Sequence, residues 1–367
     1  MDMSISRRQL SLAALVAMAT SAAPSLAVAA PSLAYAFSGK LLFGFAVTPE
    51  QLDGGLATEL IERHSSVLVA ENAMKPDALA GKGEGIYDFA TADRVVAFAA
   101  ARGIKVRGHT LLWHRQMPEW FFRDGAEEVN RATLISRIER YIADVVGHFK
   151  GRVFAWDVVN EALVADEPGT AVDAAGLRLS PLRDIVGPEF IEIAFRAAAR
   201  ADPGALLFYN DYETQNPRKV ALISALVRHL RERGVKIDGI GHQAHCSMAH
   251  PMVHDFERAI DQYGALGLIQ HITELDIALN QQLMENLVSA ATPALLQRQS
   301  QRYADLVNLF LRKRDKVHAL LVWGLSDANS WLTSWPMPRF EAPLLFDAQL
   351  QPKPAFEAVL RAARQAR

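Results

Sequence analysis

From about residue 35 onward the chain alternates short apolar runs with longer amphipathic segments. The amphipathic segments have apolar residues at helical spacing, and "NPRKVALISALVRHLRERG" also has a proline near its start and a glycine at its end, as helices often do. The apolar runs are short and apolar throughout, which is typical of strands covered on both faces. We predict strands at residues 41–47, 65–70, 105–113, 153–159, 206–211, 238–245, 268–276 and 317–327.

Strands separated by helices predict a parallel arrangement, because each return to the sheet needs a crossover helix. Eight such units close naturally into a (β/α)8 barrel. The alternative is an open, doubly wound sheet, which usually has a glycine-rich phosphate turn after its first strand. The segment "FGFAVTPEQLDGG" lacks the G-x-G-x-x-G pattern of that turn. We therefore predict one α/β domain, a single TIM barrel over residues 31–367.

Residues 1–30 have the composition of a cleaved signal peptide. A basic pair, Arg7 and Arg8, precedes an apolar stretch that ends in small residues such as Ala27 and Ala29. The pair within "SRRQLSL" is typical of the twin-arginine route, which exports folded proteins, and an ordinary secretory signal is the alternative. The sequence thus predicts an exported protein, periplasmic or secreted.

The overall composition excludes some partners. Half of the residues are apolar, the formal net charge is −2, and no lysine- or arginine-rich tract is present, so we expect a globular core and no nucleic-acid partner. Cys246 is the only cysteine, so no internal disulfide can form. The apolar run before Pro24 is too short for a convincing membrane span. We expect the mature protein to be a monomer without a membrane partner and without a cofactor.

Polar side chains follow almost every predicted strand at its carboxyl end, where barrel active sites gather. Two of them are carboxylates on different strands, Glu161 and Glu274, and amides, histidines and tryptophans lie near both in the sequence. Paired carboxylates on either side of a glycosidic bond do acid/base and nucleophilic work, so this pattern predicts a glycosidase. The strand-end stretches are "ENAMKPD", "GHTLLWHRQMPEW", "NEA", "NDYE", "HQAH", "ELD" and "WGLSDANSW".

Two other classes of barrel protein remain as alternatives. A metal-dependent hydrolase is suggested by the histidines, but "HPMVH" lacks the glutamate of the H-E-x-x-H motif, and we predict that His250 and His254 lie on the surface. We therefore predict no metal site. A non-catalytic sugar-binding barrel would keep the tryptophans and amides but lack one of the two glutamates.

The motifs "ENAMKPD", "RGHTLLWHRQMPEW", "WDVVNEA", "NDYE", "GIGHQAH", "ITELDI" and "WGLSDANSW" resemble, in order, those of glycoside hydrolase family 10 over roughly residues 41–360. This resemblance implies a retaining endo-β-1,4-xylanase that cleaves xylan or xylo-oligosaccharides through a covalent glycosyl-enzyme intermediate. It implies that Glu161 is the acid/base and Glu274 the nucleophile. Glu161 must then begin protonated, whereas hydrogen bonds and His245 should favour the carboxylate form of Glu274.

The resemblance also assigns a wider set of site residues. Asn160 would bond the 2-hydroxyl of the sugar at the cleaved bond, and His245 and Asp276 would hold Glu274 in place. Trp323 and Trp331 would wall the site. The residues implied to bind substrate are Asn72, Lys75, His109, Trp113 and Gln116 on the glycone side, together with Asn160, Tyr212, Gln243, His245, Trp323 and Trp331.

Three features depart from the family's pattern. Many relatives have an arginine where this chain has Ala278, and many have a basic residue soon after the aspartate that corresponds to Asp327. The segment "LTSWPMPRFEAPL" around Trp335 is hard to align, and core packing is a stronger alternative for Trp120 and Trp335 than for Trp113. These departures leave the tolerance for xylan decorations open.

Overall fold

The computed structural model describes residues 32–280 and 287–366. The predicted signal peptide, residues 1–30, lies outside the described residues. The structure forms a barrel of eight parallel strands with helices around it, as predicted. The barrel strands are β1 (Leu42–Val47), β2 (Val67–Ala70), β3 (Lys105–Gly108), β4 (Ala155–Asn160), β5 (Leu206–Asp211), β6 (Gly239–His242), β7 (Ile269–Ala278) and β8 (Val317–Val322).

The strands pair in chain order and the sheet closes on itself. β1 pairs in parallel with β2 on one side and with β8 on the other, so the sheet has no free edge between its first and last strands. The remaining pairs, β2 with β3 and so on to β7 with β8, are also parallel. Because all strands point the same way, their carboxyl ends share one rim, and the loops that leave this rim form a common surface.

Three predicted strands extend too far at their carboxyl ends. The run 105–113 is a strand only to Gly108, and Leu112–Trp113 then forms a short second pairing with β4. The run 238–245 breaks at Gln243 and Ala244, and Ala244 has a left-handed backbone with φ 59°. The run 317–327 ends at Val322. At each of these points the strand ends at the rim of the barrel and the chain turns into a loop. A longer strand would have extended the barrel beyond this rim.

Eleven helices are described. The N-terminus of α8 has the capping residues expected at the start of a helix. The Asn216 side chain accepts hydrogen bonds from the backbone N–H groups of Arg218 and Lys219, and Pro217 occupies the first turn. Among the described helices, none is both long enough and apolar enough to cross a membrane. They are α1 (Leu33–Phe37), α2 (Gly55–His64), α3 (Pro76–Ala80), α4 (Ala90–Ala100), α5 (Arg131–His148), α6 (Pro181–Val186), α7 (Phe190–Ala201), α8 (Pro217–Glu232), α9 (Val253–Ala265), α10 (Pro293–Arg312) and α11 (Pro354–Gln365).

The apolar core has two layers, one inside the barrel and one between the barrel and its helices. In β2, Val67 and Val69 belong to the inner layer, whereas Leu68 and Ala70 pack in the outer layer. This alternation follows from the two-residue period of a strand, and it explains why the runs are apolar throughout.

The barrel interior also contains a buried ion pair. The guanidinium of Arg107 on β3 bonds both carboxylate oxygens of Asp157 on β4, and both residues are almost fully buried. Asp157 also lies 2.9 Å from Nδ1 of His109. An unpaired buried charge would be costly, so Arg107 and Asp157 must stay paired, and this pairing holds their side chains in place beneath the rim.

Candidate active site

A cleft of about 600 Å³ lies over the carboxyl ends of the strands, within the size range of ligand sites. The segments after β2, β3, β4, β5, β6 and β8 contribute to it, and β7 itself contributes Glu274. The lining residues are Glu71, Asn72, Lys75, His109, Trp113, His114, Arg115, Asn160, Glu161, Asp166, Glu167, Pro168, Arg178, Tyr212, Glu213, Gln243, His245, Glu274, Trp323, Trp331 and Trp335.

Glu274 is buried on β7 at the floor of this cleft. Its Oε2 lies 3.2 Å from Nε2 of His245, and its Oε1 accepts a 2.7 Å hydrogen bond from the side-chain amide of Asn210. His109 Nδ1 lies 3.9 Å from Oε1. Burial alone would raise the pKa of Glu274, but the His245 hydrogen bond, the charges of His109 and His245, and the Asn210 hydrogen bond lower this pKa to about 2. Glu274 is therefore an anion at neutral pH.

His245 is held between two carboxylates. Its Nδ1 lies 2.9 Å from Oδ2 of Asp276, and the indole N–H of Trp331 donates to the same oxygen at 2.8 Å. Burial lowers the pKa of His245, but Asp276 and Glu274 outweigh it and raise this pKa to about 10. A protonated imidazole therefore faces Glu274 at neutral pH, which explains why a buried carboxylate stays ionised.

Glu161 follows β4 in a left-handed backbone conformation, with φ 58°. A non-glycine residue there costs on the order of 1–3 kcal/mol, so the surrounding structure must hold it. Its N–H donates to the backbone carbonyl of Asn210 at 3.0 Å, and its own carbonyl accepts from Nε of Arg178 at 3.2 Å. Its side chain accepts from the indole N–H of Trp113 and from the amide of Gln243, each at 2.8 Å. Glu161 is thus aimed into the cleft by both backbone and side-chain contacts.

Asn210 connects the two glutamates, and sequence reasoning did not single it out. Its backbone carbonyl accepts from Glu161, and its side-chain amide bonds both Glu274 and Oδ1 of Asn160, the latter at 3.0 Å. Gly241 on β6 makes room for it, since a Cβ at this glycine would lie 2.1 Å from Oδ1 of Asn210. The motif "NDYE" was the available signal, but it directs attention to Tyr212 and not to the asparagine.

Lys75 and two tryptophans form a further part of the cleft. The Lys75 side chain is buried, its Nζ donates to Oδ1 of Asn72 at 2.9 Å, and it lies 5.1 Å from the Trp113 ring centroid and 5.9 Å from that of Trp323. Burial lowers the pKa of Lys75, and the charges of Glu274, Glu71 and Glu161 oppose this effect. Hydrogen-bonding groups that line a cleft beside aromatic faces suit a polyhydroxylated ring.

Tyr212 belongs to a cluster whose other members, Arg178 and Glu167 from the loop after β4, were not predicted. The guanidinium of Arg178 donates to Oε2 of Glu167 at 3.0 Å and to the hydroxyl of Tyr212 at 2.6 Å, and this hydroxyl donates to Glu167 at 2.5 Å. The ring of His114 lies nearby, with Nδ1 3.9 Å from Oε2 of Glu161. Burial, then the charges of Arg178 and Arg115, lower the pKa of His114 to about 3, so this histidine is neutral. The loop carries no recognisable motif, so only the fold brings these residues together.

Most predicted site residues lie at the cleft, but two lie outside its lining. Asp276 lies behind His245. Gln116 is exposed, and its backbone carbonyl accepts a 2.9 Å hydrogen bond from the backbone N–H of Asp77. Trp120 packs on Phe121 as expected for a core residue. The core-packing alternative does not hold for Trp335, because its side chain is 48% exposed and lines the cleft.

The histidines behind the metal-hydrolase alternative are dispersed. His242 is buried and contacts Thr214 at 2.6 Å and Gln270 at 3.0 Å, whereas His250 and His254 are exposed, as predicted. Three histidines line the cleft: His109 and His245 contact carboxylates, and His114 lies 3.9 Å from Glu161. The arrangement that the cleft does offer is one ionised carboxylate, Glu274, held by the protonated His245, and a second carboxylate, Glu161, on the loop after β4.

Comparisons with known proteins show the family of this chain. The sequence model of glycosyl hydrolase family 10 matches residues 32–362. A thermostable celloxylanase of Thermoclostridium stercorarium is 40% identical over 348 residues, which cover 91% of this chain and 88% of that protein. An endo-1,4-beta-xylanase of Geobacillus stearothermophilus is 41% identical over 334 residues, which cover 90% of this chain and 98% of that protein.

Longer relatives and solved structures are also similar. The endo-1,4-beta-xylanase A of Thermotoga neapolitana is 43% identical over 306 residues, which cover 82% of this chain but only 28% of that protein. The crystal structure of xylanase B from Clostridium stercorarium F9 superimposes with a TM-score of 0.85 at 40% identity, covering 90% of this chain and 99% of the other.

Proposed function

The chain belongs to glycosyl hydrolase family 10 and is a retaining endo-β-1,4-xylanase, and we propose that Glu161 is its acid/base and Glu274 its nucleophile. The observation that carries this assignment is the different surroundings of the two carboxylates. Glu274 is held as an anion by His245 and Asn210. Glu161 instead meets neutral donors, the indole of Trp113 and the amide of Gln243.

In the first step the Glu274 carboxylate attacks the anomeric carbon, while protonated Glu161 gives its proton to the leaving glycosidic oxygen. A covalent glycosyl-enzyme forms and the aglycone departs. In the second step Glu161, now a carboxylate, takes a proton from water, and this water displaces Glu274. Two inversions at one carbon retain the β configuration.

The rest of the cleft supplies binding and orientation. We assign Asn72, Lys75, His109 and Trp113 to the glycone side, and Asn160 to the 2-hydroxyl of the sugar at the cleaved bond. This hydrogen bond strengthens in the transition state of retaining enzymes. The rings of Trp323 and Trp331 offer faces for sugar stacking, and the side-chain amide of Gln243, which follows β6, donates to both Asn160 and Glu161.

A substrate and stereochemistry assay tests this function. We expect reducing sugar to be released from xylan much faster than from carboxymethylcellulose or mannan, and the first product seen by NMR during xylo-oligosaccharide cleavage to be the β-anomer. Release from mannan alone would contradict the substrate assignment. A first product with the α configuration would contradict retention and leave the substrate assignment standing.

The sequence of residues 1–30 supports export by the twin-arginine route, and we extend the proposal to a periplasmic or secreted enzyme that acts as a monomer. Changing Arg7→Lys together with Arg8→Lys should leave the precursor in the cytoplasm, because the route reads the paired arginines. Cell fractionation followed by immunoblotting measures this. Unchanged export of the double variant would favour an ordinary secretory signal. Light scattering of the mature protein gives the oligomeric state.

A further inference from the structure

Two cleft residues outside the proposed binding set contact each other across the mouth of the cleft. The guanidinium carbon of Arg115, which follows β3, lies 5.0 Å from the ring centroid of Trp335, which follows β8. Both side chains are exposed, and both line the cleft. Among the ion pairs of the described residues, none includes Arg115, so its charge faces an aromatic ring and not a carboxylate. We call this contact the Arg115–Trp335 bridge.

The order of the strands shows what the bridge spans. Around the barrel β8 and β3 are separated by β1 and β2, so loops from these two strands meet only by reaching over the rim of the strands between them. The loop after β2 carries Asn72 and Lys75, which also line the cleft. The bridge therefore passes over the side of the cleft to which the proposed function assigns the glycone sugars.

Each end of the bridge is attached to the neighbourhood of one glutamate. Nε of Arg115 donates to Nε2 of His114 at 3.3 Å, and Nδ1 of His114 lies 3.9 Å from Glu161. The backbone N–H of Trp335 donates to the carbonyl of Trp331 at 3.0 Å, and Trp331 donates to Asp276. The bridge thus closes a ring of contacts around the space where a sugar would lie between the two carboxylates.

We propose that the Arg115–Trp335 bridge is a specificity determinant that selects an unsubstituted xylosyl unit beneath it. This inference rests on the proposed function, because that function supplies the glycone assignment. Xylose lacks a hydroxymethyl group, so a bare unit is the slimmest pyranosyl ring that a covered cleft can hold. A branch such as a neutral arabinosyl group projects from the main chain, and a unit that carries it fits only when the bridge is open.

The strength of the bridge sets the size of the effect. An exposed cation–π contact is weak, so the bridge opens readily, and opening it lowers the rate on a branched substrate only a few-fold. When a bare sugar lies beneath and excludes water, the contact becomes stronger. The bridge therefore favours linear over branched units without preventing entry of the chain.

The test compares a linear xylo-oligosaccharide with one that carries a single arabinosyl branch on the glycone side. A neutral branch is used so that the charge of Arg115 has no direct effect on it. In Arg115→Ala and in Trp335→Ala, the ratio of kcat/KM for the branched to that for the linear substrate should rise about two- to fivefold. The double variant should show the same rise as either single variant, because one substitution already opens the bridge.

Three controls keep this test independent of the proposed function and of folding. Arg115→Lys and Trp335→Phe retain a cation or a ring, and their ratio should stay close to that of the wild type. Met337→Ala changes an exposed residue of the same loop that does not line the cleft, and it should leave the ratio unchanged. The proposal would be overturned if the ratio were unchanged in both alanine single variants. It would also be overturned if the increases of the two single variants multiplied in the double variant. Wild-type enzyme that fails on the linear substrate would instead overturn the proposed function.

Discussion

Replacing Glu274 by alanine is expected to lower kcat on xylan by a factor on the order of 10⁶, the scale seen when a covalent nucleophile is removed. No glycosyl-enzyme can form without this carboxylate, so the loss should be similar for xylan and for an aryl xylobioside with a good leaving group. The cavity left at Glu274 is bounded by His245 and Asn210. Added azide can enter it and attack from that face, which gives the α-configured glycosyl azide, detectable by NMR.

The control for this variant has to separate chemistry from folding. The pKa of Glu274 is about 2 in the folded protein and ordinarily near 4.5, so its ionised form stabilises the fold above about pH 4.5, and this contribution disappears as the pH falls toward 2. Glu274→Ala should therefore melt at a lower temperature at neutral pH, yet calorimetry should still detect binding of xylo-oligosaccharides. Asp166→Ala, which removes an exposed carboxylate at the cleft that pairs with Arg218, should retain most activity. Retained turnover in Glu274→Ala would contradict the assignment of the nucleophile.

The barrel could be predicted because its physical determinants are local in the sequence. Strands covered on both faces must be apolar throughout, and helix boundaries need capping groups such as Asn216 with Pro217. The ends of the strands were less predictable. Gly108, His242 and Val322 are followed by residues that would suit a strand equally well, and only the packing of the rim decides where the chain turns.

The same distinction applies to the site. Glu161 directly follows β4, His245 lies three residues after β6, and Glu274 lies in the carboxyl half of β7, so their sequence positions place them near one rim. Arg178 lies 17 residues beyond Glu161 in a loop without a motif, and its contact with the Glu161 backbone depends on how that loop folds back. The exposure of Trp335 depends likewise on a loop path that the residue type does not specify. Sequence alone thus predicts groups carried by regular elements better than groups carried by long loops.

Replacing Glu161 by alanine should have a different signature, because an acid/base contributes on the order of 10²- to 10⁴-fold and only where a proton must move. Xylan has a poor leaving group, so its cleavage should fall by about this factor. An aryl xylobioside needs no proton on its leaving group, so glycosylation of Glu274 should proceed at close to the normal rate. Hydrolysis of the intermediate then lacks its base, and a burst of aryl alcohol followed by slow turnover is expected in stopped-flow measurements.

Azide distinguishes Glu161→Ala from Glu274→Ala, because in the two variants it attacks opposite faces of the sugar ring. In Glu161→Ala the glycosyl-enzyme accumulates on Glu274, and azide enters from the side that Trp113 and Gln243 border, where it needs no base. Displacement of Glu274 inverts the carbon for a second time, so the product should be the β-configured glycosyl azide and turnover should recover. Glu161→Gln is the matched variant, because it keeps the side-chain shape without the acid and leaves less room for azide. If the two variants gave azides of the opposite configurations to those expected, the roles of Glu161 and Glu274 would be exchanged. If azide rescued neither variant, a mechanism with two carboxylates would not hold.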